Sequence, residues 1–323
     1  MVSQRQVLNR LQLNGGMTAL LGLLLFLMGA LLIDGFASLR SVRAILVLAA
    51  FVGLASVGQT LVIVMGGFDL SIPFLVGVAN VVAAEAFGAG IAMPVVVVMV
   101  VALTAVIGAA NGFLARYFKV HPLIITLGMG TAALAAVLWW TKGFPSGSVP
   151  DGITRFVSIG ATTGPIPLPP IVVFWAAVTL GVVIVERSTV YGRRLFAMGS
   201  NPQAAEVALI PSLRMWVQTF MVSGAFAGIT GILFLGFTSR ASGTVGEQLL
   251  FQSIAAVVVG GTSLVGGSGS YAKTAMGAVV LLLLSTVLLG LGVSSSLIQA
   301  ALGGLIILLV SVYGREPPMR DRI

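Results

Sequence analysis

The groups that could do chemistry are few and widely spaced in this 323-residue chain. Gly267-Ser268-Gly269-Ser270-Tyr271-Ala272-Lys273-Thr274 nearly spells two nucleotide-binding loops. A Walker loop needs glycine directly before its lysine, and Ala272 occupies that place. A dinucleotide fingerprint needs a preceding strand and a parallel βαβ unit, whereas apolar runs flank this segment. It reads as a tight glycine turn, and the chain itself is expected to bind no ATP. His121, the only histidine, precedes Pro122 with no carboxylate or histidine at ligand spacing, so a boundary residue is expected there and no metal site. The absence of cysteine excludes disulfides, thiolate metal sites and thiol catalysis. No nucleophile–base pair emerges, and an enzyme is not expected.

The carboxylates are more informative. In Val64-Met65-Gly66-Gly67-Phe68-Asp69-Leu70-Ser71-Ile72-Pro73, two glycines break an apolar run and an acid follows. Asp69 or Ser71 can cap the next helix, satisfying N–H groups that are costly to leave unpaired near lipid. The same break can line a cavity, as interrupted helices do in transporters. The residues alone leave both readings open. Glu85 falls near the end of an apolar run and reads as an interfacial carboxylate, with a proton relay as the alternative. Gln59, Asn80, Asn111, Gln252 and Ser253 are neutral polar groups inside apolar runs. Such groups join helices, and they also suit a path for a neutral polar solute. They point away from ion-coupled pumps, which place carboxylates in the membrane.

The longest polar interruption with its own charge cluster runs from Glu186 to Arg214 and holds Arg187, Arg193, Arg194 and Glu206. Asn201-Pro202 is a helix start, because Asn caps and Pro lacks the N–H that a first turn would leave unpaired. Gln203 to Leu209 are good helix formers, and Pro211 disfavours helix at Ile210. The result is a helix over 202–209, about 12 Å long at ~1.5 Å per residue. So short a helix needs a surface to dock on.

The elements that must position these groups are set by composition. The chain is 58% hydrophobic and 8% charged with a net charge of +8, and its mean hydropathy is +1.11. Soluble chains carry about a quarter charged residues, so this is an all-α polytopic membrane protein. Its positive charges sit in connections, which fits membrane orientation and gives no reason to expect nucleic acid. Spanning-length runs fall at 17–33, 44–65, 72–88, 91–115, 122–140, 170–185, 215–236, 250–265, 274–291 and 297–313, giving about ten spans in one domain over 1–323. The first is read as an uncleaved span facing lipid. Arg5, Arg10, Arg116, Lys119, the arginines of the 186–214 loop, Lys273, Arg315, Arg320 and Arg322 share one side; only Arg40, Arg43, Lys142, Arg155 and Arg240 lie on the other. This bias places both termini and the 186–214 loop in the cytoplasm and the Gly/Pro-rich 141–169 loop outside. Gly108-x-x-x-Gly112 and Gly224-x-x-x-Gly228 predict close helix contacts.

Taken together, several blocks resemble the permease subunits of bacterial ATP-binding-cassette importers of the ribose/monosaccharide type. Gly66-Gly67-Phe68-Asp69-Leu70-Ser71 is similar to that family's G-G-I-D-L-S signature. Tyr191-Gly192-Arg193-Arg194-Leu195-Phe196-Ala197-Met198-Gly199-Ser200-Asn201-Pro202-Gln203-Ala204-Ala205 resembles its cytoplasmic loop. Gly260-Gly261-Thr262-Ser263-Leu264 with Gly266-Gly267-Ser268-Gly269 resembles a third block, and Asn111-Gly112 and Pro122 to Gly128 also match. The likeness runs from about Phe36 to Val312. Two departures are Ile72-Pro73 after the Asp-Leu-Ser, and Ala208-Leu209-Ile210 where the family has small-Gly-Ile.

The resemblance implies a transport subunit of a prokaryotic inner membrane, without cofactor, whose ATP is used by a separate cassette ATPase. The helix at 202–209 would be the coupling helix, with Gly192, Arg193, Asn201, Pro202, Ala204, Ala205 and Glu206 serving that contact and Ala205 facing solvent in the free subunit. Gly66, Gly67, Asp69, Ser71, Gln59, Asn80 and Asn111 would be signature or pathway residues. A second permease copy or a sister permease, a periplasmic sugar-binding protein and membrane lipid are the other implied partners. The solute would be a monosaccharide or a related neutral polar molecule. The competing reading is an ion-coupled secondary transporter of small polar solutes.

Overall fold

The computed structural model describes residues 15–313, and among these the chain is helical, with one isolated bridge between Thr163 and Ile166. Helices satisfy backbone N–H and C=O groups within each segment, as lipid demands. In order they are α1 (Gly16–Leu32), α2 (Leu39–Val64), α3 (Ile72–Gly88), α4 (Met93–Tyr117), α5 (Pro122–Trp140) and α6 (Asp151–Val157). Then follow α7 (Pro170–Ser188), α8 (Val190–Ser200), α9 (Pro202–Val207), α10 (Ser212–Thr238), α11 (Leu249–Val259), α12 (Tyr271–Gly290) and α13 (Ser295–Tyr313). Each apolar stretch read from the sequence carries a helix. Among the described residues, six helices, α2, α4, α5, α7, α10 and α12, are long and apolar enough to cross a membrane. The terminal arginines used for the orientation lie outside the described residues.

Three expectations change. The span expected over 250–265 ends at Val259, which makes α11 about 16 Å long at ~1.5 Å per residue, short of the ~30 Å hydrocarbon core. The chain stops there because Gly260 seats against the first turn of α12, where a Cβ would lie 2.6 Å from the Lys273 carbonyl oxygen, and Gly261 then turns at φ 80°. The 141–169 loop is not irregular throughout: Ile153 and Val157 of α6 are buried, and that burial holds its seven residues in a helix. The 186–214 loop contains a second helix, α8. Thr189 caps it by accepting a hydrogen bond from the Gly192 N–H at 3.1 Å.

α2 forms the axis of the bundle and is buried almost throughout from Ala49 to Val64. Small and hydroxylated residues let its neighbours approach on several sides. Gly53 lies against Trp175 of α7, Gly58 lies against Ser223 of α10, and Thr60 bonds Thr274 of α12 at 3.1 Å. α10 packs along α4, α3 and α2. Its contact with α4 joins the two glycine pairs: a Cβ on Gly108 would enter the Phe220 carbonyl and come within 3.2 Å of the Gly224 Cα, and a Cβ on Gly224 would enter the Thr104 carbonyl. Backbone contact of this kind substitutes for the hydrophobic drive that lipid removes. α1 lies at the periphery on α12 and exposes Leu20, Leu23, Leu24, Leu27 and Leu31.

Candidate functional site

α2 ends at the expected break. Gly66 adopts φ 94°, its N–H bonds the Ile63 carbonyl, and the Gly67 N–H bonds the Val62 carbonyl, each at 2.9 Å. This is a Schellman stop, in which the left-handed residue is a glycine because it has no Cβ to clash. The chain then turns back into the bundle and buries Asp69 to 2% exposure. Asp69 Oδ1 accepts from the Ser71 N–H at 2.9 Å and from the Ser71 hydroxyl at 2.5 Å, and Oδ2 accepts from the Ser223 hydroxyl at 2.6 Å. Asn111 Nδ2 donates to the Ser71 hydroxyl oxygen at 3.0 Å, and the Leu70 N–H donates to Thr126 Oγ1 at 3.0 Å. No side chain caps α3 itself, and Asp69 instead holds the N–H and hydroxyl of Ser71, the residue before that helix. It ties the break directly to α10, and through Ser71 and Leu70 the same break reaches α4 and α5. A buried carboxylate persists only when its oxygens are satisfied in this way.

The three glycine blocks meet beside this knot. The Gly267 N–H donates to the Val64 carbonyl at 2.9 Å, and the Ser200 hydroxyl donates to the Gly267 carbonyl at 3.3 Å. A Cβ on Gly199 would enter the Val64 carbonyl, and one on Gly266 would lie 3.1 Å from the Gly66 Cα. The end of α2, the end of α8 and the turn between α11 and α12 are thus in backbone contact at one point, which larger residues would hold apart. A cleft of about 360 Å³ opens next to it, with Gly66, Arg116, Gly199, Glu206 and Trp216 in its lining.

α9 projects from this junction. Asn201 caps it, accepting from the Ala204 N–H at 2.9 Å, and Pro202 follows in the first turn. The helix stops at Val207, two residues before the expected end. The Leu209 N–H bonds the Glu206 carbonyl and the Ile210 N–H bonds the Ala205 carbonyl, both at 3.0 Å, with Leu209 at φ 55°. This is again a Schellman stop, made here with leucine in the left-handed position that favours glycine. The expectation that Ala205 faces solvent is overturned. It is 5% exposed and packs in a cluster with Leu195, Met198 and Met215. Gln203, Ala204, Glu206, Val207 and Leu209 are exposed, with Val207 at 85% and Leu209 at 88%. At 100° per residue Gln203 and Val207 point away from Ala205. Gly192 lies where a Cβ would enter the Glu186 carbonyl, so it shapes the α7–α8 corner, while Arg193 and Arg194 are exposed.

The remaining sequence-chosen residues divide. Asn80 joins α3 to α10, donating to the Gly231 carbonyl at 3.3 Å and accepting from the Ser242 N–H at 2.8 Å. Asn111 belongs to the Asp69 knot. Gln59 is fully buried, and neither amide atom has a hydrogen-bond partner. Glu85 accepts from the Ser146 N–H at 2.7 Å and fastens the 141–169 loop to α3. His121 accepts from the Leu123 N–H at 3.3 Å at the start of α5. Two groups escaped the sequence reading as structural centres. Glu186 is 4% exposed and accepts from the Tyr271 N–H at 3.1 Å, a carboxylate on the positive N-terminus of α12. The Tyr271 hydroxyl donates to the Gly53 carbonyl at 2.8 Å and accepts from Trp175 Nε1 at 3.0 Å. Glu186 had a legible signal, being an acid at the end of an apolar run.

A broken helix knotted into a bundle of apolar helices, with a short loop helix projecting beside the break, defines a multi-pass membrane protein of the transport-permease class. The chain belongs to the family described as branched-chain amino acid transport system / permease component, whose pattern matches residues 41–311. It is 30% identical over 271 residues to the autoinducer 2 import system permease protein LsrD of Salmonella typhimurium, covering 82% of this chain and 80% of that one. LsrD of Escherichia coli is 30% identical over 275 residues, with 82% and 80% covered. LsrD of Yersinia pestis is 31% identical over 265 residues, with 80% and 78% covered. No solved structure matches the chain.

Proposed function

We propose that this chain is the membrane subunit of an ATP-binding-cassette importer of an inner membrane, forming the path for a monosaccharide or related neutral polar solute. An extracytoplasmic binding protein delivers the solute, a cassette ATPase hydrolyses ATP, and a second copy or a sister permease completes the path. In this reading there are ten crossings, one of them made by the short α11 together with residues 239–248 that precede it, both termini are cytoplasmic, and α9 is the coupling helix. The observation that carries the proposal is the meeting of the three glycine blocks: α9 leaves the same backbone junction in which α2 ends and the Asp69 break begins. A push on α9 therefore bears on the break through close-packed backbone, which transmits displacement rather than absorbing it. The LsrD relatives are autoinducer 2 import permeases, which supports a solute of sugar type here.

Reconstitution with an ATPase and a binding protein tests this. Uptake should survive a protonophore and stop without ATP. Uptake that collapses with the protonophore and ignores ATP would establish the ion-coupled alternative instead.

A further inference from the structure

A crevice of about 380 Å³ opens between α2, α10, α11, α12 and α13. α10 leaves the α8–α9 loop at Ser212 and reaches this crevice only with Phe234, Phe237 and Thr238, so the crevice lies at the opposite end of the bundle. Its volume falls in the range of small-molecule sites, about 300–1,000 Å³. Part of the lining is aromatic: the Phe51 ring centroid lies 4.2 Å from that of Phe234 and 5.3 Å from that of Phe237. The polar lining includes the amides of Gln248, Gln252 and Gln299 and the hydroxyl of Ser285. Among the described residues these four side chains make no hydrogen bond to protein. None of the described lining residues is charged.

This composition selects a ligand. Each free amide offers a donor pair and an acceptor, which matches neighbouring hydroxyl groups. Aromatic faces accept the C–H side of a sugar ring while excluding water. A zwitterionic amino acid would bring a carboxylate and an ammonium into a lining without counter-charges, at a large desolvation cost. Of the amides that stand out in the sequence, Gln252 lines this crevice, whereas Asn80 and Asn111 are engaged in helix packing and Gln59 is fully buried outside the lining.

We propose that this crevice binds a neutral polyhydroxylated solute of monosaccharide size on the entry side of the permease, through the amides of Gln252 and Gln299 and the half-buried rings of Phe234 and Phe237, which the buried Phe51 backs. The proposal rests on the importer reading and deepens it by placing a solute site within one chain.

The cysteine-free sequence allows a direct test. Gln252→Cys and Gln299→Cys are made singly in the full chain, assembled with its partners in proteoliposomes, and labelled with a small neutral thiol reagent. D-ribose, autoinducer 2 and L-leucine are the probes, and Leu297→Cys, on α13 outside the crevice lining, is the control. At twice its dissociation constant a bound solute should slow labelling about threefold by mass action. Ribose or autoinducer 2 should slow both crevice cysteines, leucine neither, and no probe should change the control. The double variant Gln252→Leu with Gln299→Leu should lower uptake of the protecting solute at limiting concentration by about tenfold, from the loss of two hydrogen-bonding groups. Labelling indifferent to both neutral probes at saturating concentration, or slowed only by added phospholipid, overturns the site and assigns the crevice to lipid. Uptake by the unsubstituted assembly is scored separately: ATP-dependent import with unprotected cysteines sinks the crevice alone, whereas protected cysteines without ATP-dependent import sink the importer reading alone.

Discussion

Ser223 donates a 2.6 Å hydrogen bond to Asp69 across 154 residues of sequence, and this bond fastens the break after α2 to the middle of α10. Gly58 makes the approach possible, since a Cβ there would collide with Ser223. Asp69→Asn keeps the shape, keeps an acceptor for Ser71 and can still donate to the Ser223 oxygen, so the cost to folding should be about 1–2 kcal/mol. If the break is part of the moving path, uptake should fall at least about tenfold, the effect of ~1.4 kcal/mol on a barrier, while membrane levels hold. Uptake at the unsubstituted rate would leave Asp69 a structural knot and nothing more.

Sidedness is tested by single cysteines in the same cysteine-free background. Ser146 and Ser200 are both exposed. In intact spheroplasts an impermeant thiol reagent should label Ser146→Cys, and Ser200→Cys only after lysis. The opposite pattern would invert the whole topology and place α9 outside.

The sequence reached the helices through apolar length and reached the breaks through glycine, because both signals are local. Gly66 and Asn201 act as read, the one ending α2 and the other capping α9. Ser223 was invisible as an Asp69 partner because a hydroxyl in an apolar run looks the same whether it bonds its own helix or another. α8 was missed because Gly192 and Gly199 look like loop residues, yet both are small for contact with neighbouring backbone. Ala205 was placed on the wrong side because helical spacing fixes which residues share a face but not which way that face turns. That choice was made by Met198 and Met215, which bury it.

The α4–α10 contact predicts a different kind of failure. Gly108→Val puts side-chain atoms into the Phe220 carbonyl, and neither backbone can yield without unpacking the bundle. Overpacking of this kind costs about 1–3 kcal/mol or more, so thermal unfolding in detergent should move to lower temperature and membrane levels should drop. Gly128, with nothing within 4 Å of a built Cβ, is the control: Gly128→Ala should unfold at or above the unsubstituted temperature, and equal losses at both sites would remove the close-contact argument.

Leu209 holds a left-handed conformation with an exposed apolar side chain. Leu209→Gly should relieve about 1 kcal/mol of backbone strain while deleting that side chain. If Leu209 serves only to end α9, the variant should improve the loop's protection from proteolysis and couple normally. If it is part of the coupling surface, protection improves and ATPase pull-down weakens. A loss of protection would mean that the side chain packs where the structure shows it free.

The last prediction concerns which face of α9 meets the ATPase. Val207 points away from the bundle and Ala205 points into it, so one substitution at the two positions should have different consequences. Val207→Arg places its charge in water while the subunit is free, and insertion and membrane level should not change. On docking, that charge loses its water, which costs several kcal/mol when unpaired, so the ATPase should pull down poorly and solute should no longer stimulate hydrolysis. Ala205→Arg must bury its charge beside Met198 and Met215 before any partner arrives, so protein level should fall together with coupling. Glu206→Gln is the exposed neighbour that removes charge without adding bulk, and it should be mild. Normal pull-down by Val207→Arg would show that the outward face of α9 is not the docking surface, and the ATPase contact would have to be sought on the exposed arginines of α8.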